Sequence, residues 1–160
     1  KSWEKAFYGS QTPKTFKIAL RTSIVLGKSG GAFLPLKNLT KLGLGGTQGN
    51  GNQKVSWIHE HDFCRAVEFL LEENKLGTFN VTSPNPIPNK DFMKTIRKVL
   101  KVSFGLFQPK WLLKLGARII KTEAELILKS RFVIPEKLIA SGFQFKYPTV
   151  EKAIQEIITR

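Results

Sequence analysis

Apolar positions along the chain alternate between short runs and helical stripes. Ala6 to Tyr8 reads as the end of a helix already under way at Trp3-Glu4, broken by the Gly, Ser and Pro of residues 9–14. Phe16 to Leu26, rich in Ile, Val and Thr and bounded by Gly27, predicts a buried strand. A glycine-rich stretch from Gly27 to Gly51 leaves room for one short helix near Leu34 to Leu42, and Lys54 to His59 resumes as a strand. Asp62 then opens a helix in which Phe63, Ala66, Val67, Leu70 and Leu71 recur at i, i+3, i+4, i+7 and i+8. Thr78 to Thr82 predicts another strand. Asn89 is placed to cap a helix running to about Leu100, with Phe92, Ile96, Val99 and Leu100 inward. Pro109 fits a helix first turn, with Leu112, Leu115 and Ile119 continuing its stripe. Pro135 to Ser141 is a short helix closed by Gly142. Thr149 caps a last helix striped by Val150, Ala153, Ile154, Ile157 and Ile158. This order predicts an α/β layer with a mostly helical tail.

Composition adds a core and a strong charge. With 41% hydrophobic residues among 160, the chain can bury a core, which excludes a disordered tail or a collagen-like repeat. The net charge of +14 falls into blocks: residues 1–58 carry nine Lys/Arg and one acid, residues 59–89 two and five, and residues 90–121 nine and one. Lys90, Lys94, Arg97, Lys98 and Lys101 share one face of the Asn89 helix, a surface that could meet nucleic acid or an anionic membrane. Lysine dominates, twenty to six, where bidentate phosphate or base recognition favours arginine, so a solvated helix face is the plainer reading. Cys64 is the single cysteine and cannot form an internal disulfide, which fits a reducing, cytoplasmic setting. No run approaches the roughly 18 apolar residues of a membrane span. The opening Lys1-Ser2-Trp3-Glu4, with Met93 the only Met, reads as the interior of a longer chain.

Several motifs invite a chemical reading. The string from Gly43 to Gly51 has glycine spacing like a phosphate cradle. It lacks the G-K-[ST] of a P-loop and is followed by a strand, which favours a flexible or bulged loop. His59-Glu60-His61-Asp62 has ligand-like spacing, but no further His/Cys cluster closes a metal site, and no metal is assigned. An Asp62 that caps its helix already has its carboxylate engaged by backbone amides. Neither a nucleophile elbow nor a Cys-based triad is present. Trp57, at a strand end beside the glycine loop, fits either a core position or the floor of a substrate pocket.

Taken in order, Arg21-x-x-x-Val25-Leu26-Gly27, Gly30-Gly31, Gly49-x-Gly51-x-Gln53, Ser56-Trp57-Ile58-His59-x-x-Asp62 and Asn80-Val81-Thr82-x-Pro84-Asn85-Pro86 form a series. It resembles the C-terminal half of an atypical, extended short-chain dehydrogenase/reductase of the NAD(P)-binding, nucleoside-diphosphate-sugar epimerase-like group. Ser130-Arg131-x-Val133-x-Pro135-x-Lys137-Leu138, then Gly142-Phe143-x-Phe145-x-Tyr147-Pro148, resembles the domain of unknown function that closes that group. The resemblance implies the last strands of a Rossmann-type sheet with a small substrate-side lobe and a helical tail. It divides the chain into an epimerase-like part at 1–101 and the family-specific domain at 102–160.

The resemblance also implies NAD or NADP as cofactor, held mainly by residues ahead of this chain, and a small-molecule carbonyl or alcohol substrate. The Tyr-x-x-x-Lys pair would fall before Lys1 if Glu4 is the Glu that follows the catalytic Lys by four positions, so no catalytic residue is assigned. By position, Thr22 and Ser23 would lie at the nicotinamide end, and Ile24, Gln53 and Trp57 on the substrate side. Ile24 stands where sugar-nucleotide enzymes carry Asn, and Val55 where they carry a diphosphate-holding Arg, which implies a more apolar pocket. The chain by itself is expected to show no turnover. A basic binding module and a degenerate, regulatory reductase fold remain as alternatives.

Overall fold

A computed structural model describes residues 2–113 and 129–160. The elements are α1 (Ser2–Gly9), β1 (Ile18–Thr22), β2 (Ile24–Leu26), α2 (Phe33–Lys41), β3 (Lys54–Val55), β4 (Trp57–His59), α3 (Glu60–Glu72), β5 (Gly77–Val81), β6 (Ile87–Pro88), α4 (Asn89–Leu100), α5 (Glu136–Ala140) and α6 (Val150–Thr159). The strand expected over residues 16–26 is thus two strands. β1 runs parallel to β5, from Ile18 opposite Gly77 to Thr22 opposite Val81. β2 runs parallel to β4, with Ile24, Val25 and Leu26 opposite Trp57, Ile58 and His59. The exchange of neighbours falls at Ser23, whose N–H donates to Val81 O at 3.2 Å while the next N–H, of Ile24, donates to Ser56 O at 3.3 Å. The Lys54–His59 run divides in the same way at Ser56, because β3 pairs antiparallel with β6.

Parallel pairing requires a long crossover: α2 lies in the one from β2 to β4, and α2 and α3 both lie in the one from β1 to β5. Side chains alternate across the strands, so neighbouring residues of β4 serve different cores. Trp57 packs with Leu26, Phe33, Phe92, Ile96 and Ile154, whereas Ile58 packs with Ala66, Leu70, Phe79, Leu138 and Phe143. Both strand residues are fully buried.

Two helix starts differ from the sequence reading. The N-cap of α3 is His59, whose Nδ1 accepts the His61 N–H at 3.1 Å, and Asp62 lies within the first turn. Asn89 begins α4 rather than capping it: its Oδ1 accepts the Gln48 N–H at 2.9 Å and its Nδ2 donates to Gln48 Oε1 at 3.0 Å. Thr149 does stand at the N-cap of α6, but its side chain makes no capping bond. Leu71, on the expected stripe of α3, is 62% exposed. Helical residues begin just after Pro109, whose carbonyl accepts the N–H groups of Leu112 and Leu113; Leu115 and Ile119 lie outside the described residues.

The glycine-rich stretch is a packed joint. Leu106 N–H donates to Gly43 O, Gln108 N–H to Thr47 O, and Gly49 N–H back to Gln108 O, each at 2.9 Å. Gly46 is required by proximity, since a Cβ there would stand 2.1 Å from the Leu106 carbonyl oxygen. The loop amides of Gly49 and Gly51 are committed to Gln108 O and Gln48 O, so they are not presented to a phosphate. Among the described residues no helix is long and apolar enough to cross a membrane.

Candidate active-site cleft

Where β1 ends and β2 begins, a cleft of about 770 Å³ opens. It lies at the carboxyl end of the parallel pair β1–β5, the place where open α/β sheets bind ligands. Thr22, Ser23 and Ile24 line one side, with Ser56 and Asn80 below them. The opposite wall is residues 131–134, a strap that runs between the undescribed segment and α5.

Hydrogen bonds to the strands fix the strap. Ser130 Oγ accepts the Lys54 N–H at 3.0 Å and Lys54 O accepts the Arg131 N–H at 2.9 Å. The Ser56 hydroxyl donates to Arg131 O at 2.7 Å and accepts the Val133 N–H at 3.0 Å. Asn80 Nδ2 donates to Ile134 O at 3.3 Å. Ser56 therefore uses one small side chain to satisfy two backbone groups of the wall.

The cleft is mixed in character. Ile24, Val25, Phe132, Val133 and Ile134 are apolar, and its charged lining residues are Arg21, Arg131 and Glu136. Arg21 is held by Glu4, with Nε to Oε1 at 2.7 Å and Nη2 to Oε2 at 2.9 Å, a bidentate pair that pushes the guanidinium pKa up. Among the described residues, Ser23 Oγ is buried and has no hydrogen-bond partner. That orphaned hydroxyl marks the wall as a place that ligand polar groups could complete.

The five residues singled out from the sequence do not all meet here. Thr22, Ser23 and Ile24 share the cleft. Gln53 lies elsewhere, beside Asn50, Asn52, Lys110 and Ser130, where its Nε2 donates to Gln48 O at 2.7 Å. Trp57 sits in the core, fully buried, with its indole N–H donating to Asn85 O at 3.1 Å. Ser56, Asn80 and the strap were given no site role from the sequence, although Ser56, Asn80, Ser130, Arg131 and Val133 all stood in the ordered motifs.

The histidine pair also separates. His59 is fully buried, its Nε2 lies 2.8 Å from Glu156 Oε2 on α6, and its ring stacks on Tyr147 with centroids 4.1 Å apart. Burial pushes its pKa below the usual 6.5, with Glu156 pulling the other way. His61 is exposed on α3. Among the described residues no group of three or more His, Cys, Asp or Glu is placed to hold a metal ion. The basic face of α4 is partly consumed by packing, with Arg97 donating to Gly45 O at 2.6 Å and Lys98 paired with Glu151 at 2.9 Å.

The mixed, partly parallel α/β fold, the cleft at the strand ends and the ordered motifs resemble a part of an extended, epimerase-like short-chain dehydrogenase/reductase. Residues 108–157 match the Domain of unknown function (DUF1731). The chain is 34% identical over 158 residues to the epimerase family protein YfhF of Bacillus subtilis, covering 98% of this chain and 50% of that protein. It is 30% identical over 159 residues to the epimerase family protein SAR0825 of Staphylococcus aureus, covering 99% and 52%. The chain thus spans about half the length of the curated relatives it matches.

Among solved structures, human epimerase family protein SDR39U1 (isoform 2) with NADPH superposes with a TM-score of 0.84 at 28% identity, over 93% of this chain and 50% of that one. The nucleoside-diphosphate sugar epimerase of Corynebacterium glutamicum shares the fold, with a TM-score of 0.69 at 24% identity over 95% and 28%.

Proposed function

We propose that this chain forms the substrate-side part of an NAD(P)-dependent oxidoreductase or epimerase-like protein acting on a carbonyl or alcohol carbon. The observation that carries the reading is the cleft at the carboxyl end of β1–β5, where Thr22 and Ser23 stand beside Ile24 and, among the described residues, Ser23 Oγ lacks a partner. These residues fit one wall of a nicotinamide site, and the NADPH of the human neighbour supports a nicotinamide dinucleotide. When bound, that group supplies or takes a hydride. Thr22 and Ser23 orient its ring end, Ile24 and the strap exclude water from the reacting carbon, and Ser56 holds the strap. The dinucleotide phosphates and the acid/base Tyr and Lys are assigned to residues outside this chain, in keeping with the Gly49 and Gly51 amides being bonded within the loop joint. The lone, exposed Cys64 fits a cytoplasmic protein.

The test has two arms. Alone, the 160-residue chain is expected to oxidise no NADPH with a panel of ketones and aldehydes; measurable turnover would overturn the division of labour. Joined to the half of the Bacillus subtilis relative that it does not match, it is expected to bind NADPH or NADH, with Ser23→Ala weakening binding. A folded chimera with no dinucleotide affinity would count against the reading.

A further inference from the structure

The cleft carries one guanidinium that its proposed role does not use. Of its two guanidinium groups, Arg21 is occupied by both oxygens of Glu4. Among the described residues, the guanidinium of Arg131 makes no ion pair or hydrogen bond, although its backbone N–H and carbonyl are both held. Arg131 therefore projects from a fixed point of the strap, and it borders both the main cleft and a small recess lined by Ile24, Val55 and Phe92 together with Lys54 and Lys129. An arginine with pinned backbone and an uncommitted fork, set among aliphatic and aromatic walls, is the arrangement that recognises an anion carried on an apolar body.

We infer that Arg131 is the specificity-determining residue of the cleft, and that its substrate class is a small apolar carbonyl or alcohol compound bearing a carboxylate. This rests on the reading of the cleft as the substrate site. The one uncommitted guanidinium suits a monoanion. A phosphate dianion or a diphosphate would meet one available guanidinium and, on the same lining, the carboxylate of Glu136. Among the described residues, no second uncommitted cation lines this cleft to offset that repulsion. A single carboxylate matches the one fork bidentately, while Ile24, Val25, Phe132, Val133 and Ile134 cover the rest of the molecule.

The isotope-labelled chain is titrated with phenylacetate, its uncharged amide and benzyl phosphate, followed by amide shifts in two-dimensional NMR. Phenylacetate is expected to shift Ile24, Val133 and Ile134, with the amide and benzyl phosphate at least about tenfold weaker. Arg131→Gln, at an exposed position whose fold the same spectra verify, is expected to remove the carboxylate preference and leave amide binding unchanged. Arg131→Lys should restore part of it. Equal affinity for acid and amide, an unaffected Arg131→Gln, preference for the phosphate, or no shift at these residues would each overturn the inference. Dinucleotide binding by the chimera is read separately and does not involve Arg131, so the two failures are distinguishable.

Discussion

Asp62 is 1% exposed, and its carboxylate gathers the backbone N–H groups of Lys146 at 3.0 Å and Tyr147 at 2.8 Å, with Arg65 at 3.1 Å. A carboxylate beside an apolar helix face thus serves as the anchor of a segment more than eighty residues further on. Asp62→Ala would leave two amides without an acceptor and is expected to lower stability by about 2–4 kcal/mol, with Asp62→Asn intermediate, measured by urea unfolding. His59 makes a second tie to the same part of the chain. Its Nδ1 accepts an N–H, so the proton sits on Nε2 and faces Glu156. Burial lowers its folded pKa below 6.5, so the unfolded chain binds the proton more readily. Its contribution is therefore present above about pH 6.5 and lost as pH falls through the lower folded value. His59→Gln, which keeps a donor for Glu156, is expected to flatten the decline of stability between about pH 7 and pH 5; an unchanged slope would remove His59 as its source. From sequence, His59 and Asp62 were legible as polar residues at a strand–helix junction. Their partners were not, because Tyr147 and Glu156 are brought there only by tertiary packing.

At the scale of elements, periodicity located what repetition can reveal and missed where pairing changes. The stripes of α4 and α6 were readable because each buries one face: Phe92 and Ile96 on one, Val150, Ala153, Ile154 and Ile157 on the other. The division of residues 16–26 at Ser23 has no signal in hydrophobicity, since both halves are apolar and only the neighbouring strand differs. The glycine loop shows a related limit. Composition marks flexibility in isolation, yet this loop is closed against residues 105–108 by backbone bonds. Gly46→Ala, which would place a Cβ against the Leu106 carbonyl, is expected to cost about 2–4 kcal/mol. Gly30→Ala meets nothing within 4 Å and is expected to stay within about 0.5 kcal/mol. Thermal or denaturant melts of the two variants measure the contrast, and equal effects would contradict the packed-joint description.

For the whole molecule, two cores meet at β4, and the C-terminal elements complete both. Leu138 and Phe143 close the core around Ile58 and Phe79, and α6 closes the one around Trp57 and Ile96. The same C-terminal region supplies the strap of the cleft, so the site depends on residues distant in sequence from the strands that frame it. This makes the two ends of the chain unequal. α1 has no buried residue, and its ties to the body include the exposed Arg21–Glu4 pair and a Tyr8–Thr78 hydroxyl contact at 3.1 Å. Exposed pairs of this kind contribute about 0–1 kcal/mol. A chain starting at Ser10 is therefore expected to keep a cooperative transition, with stability reduced by roughly 1–2 kcal/mol. A chain ending at Pro148 strips four buried side chains from the face of α4, each worth about 1–3 kcal/mol of burial, and removes the partner of His59. That loss is comparable to the whole stability of a small domain. The shortened chain is expected to lose its cooperative melt and bind a hydrophobic dye, as judged by calorimetry and dye fluorescence. A sharp melt within a few degrees of the parent would show that α6 is dispensable and would dissolve the account of a core closed from its C-terminal end.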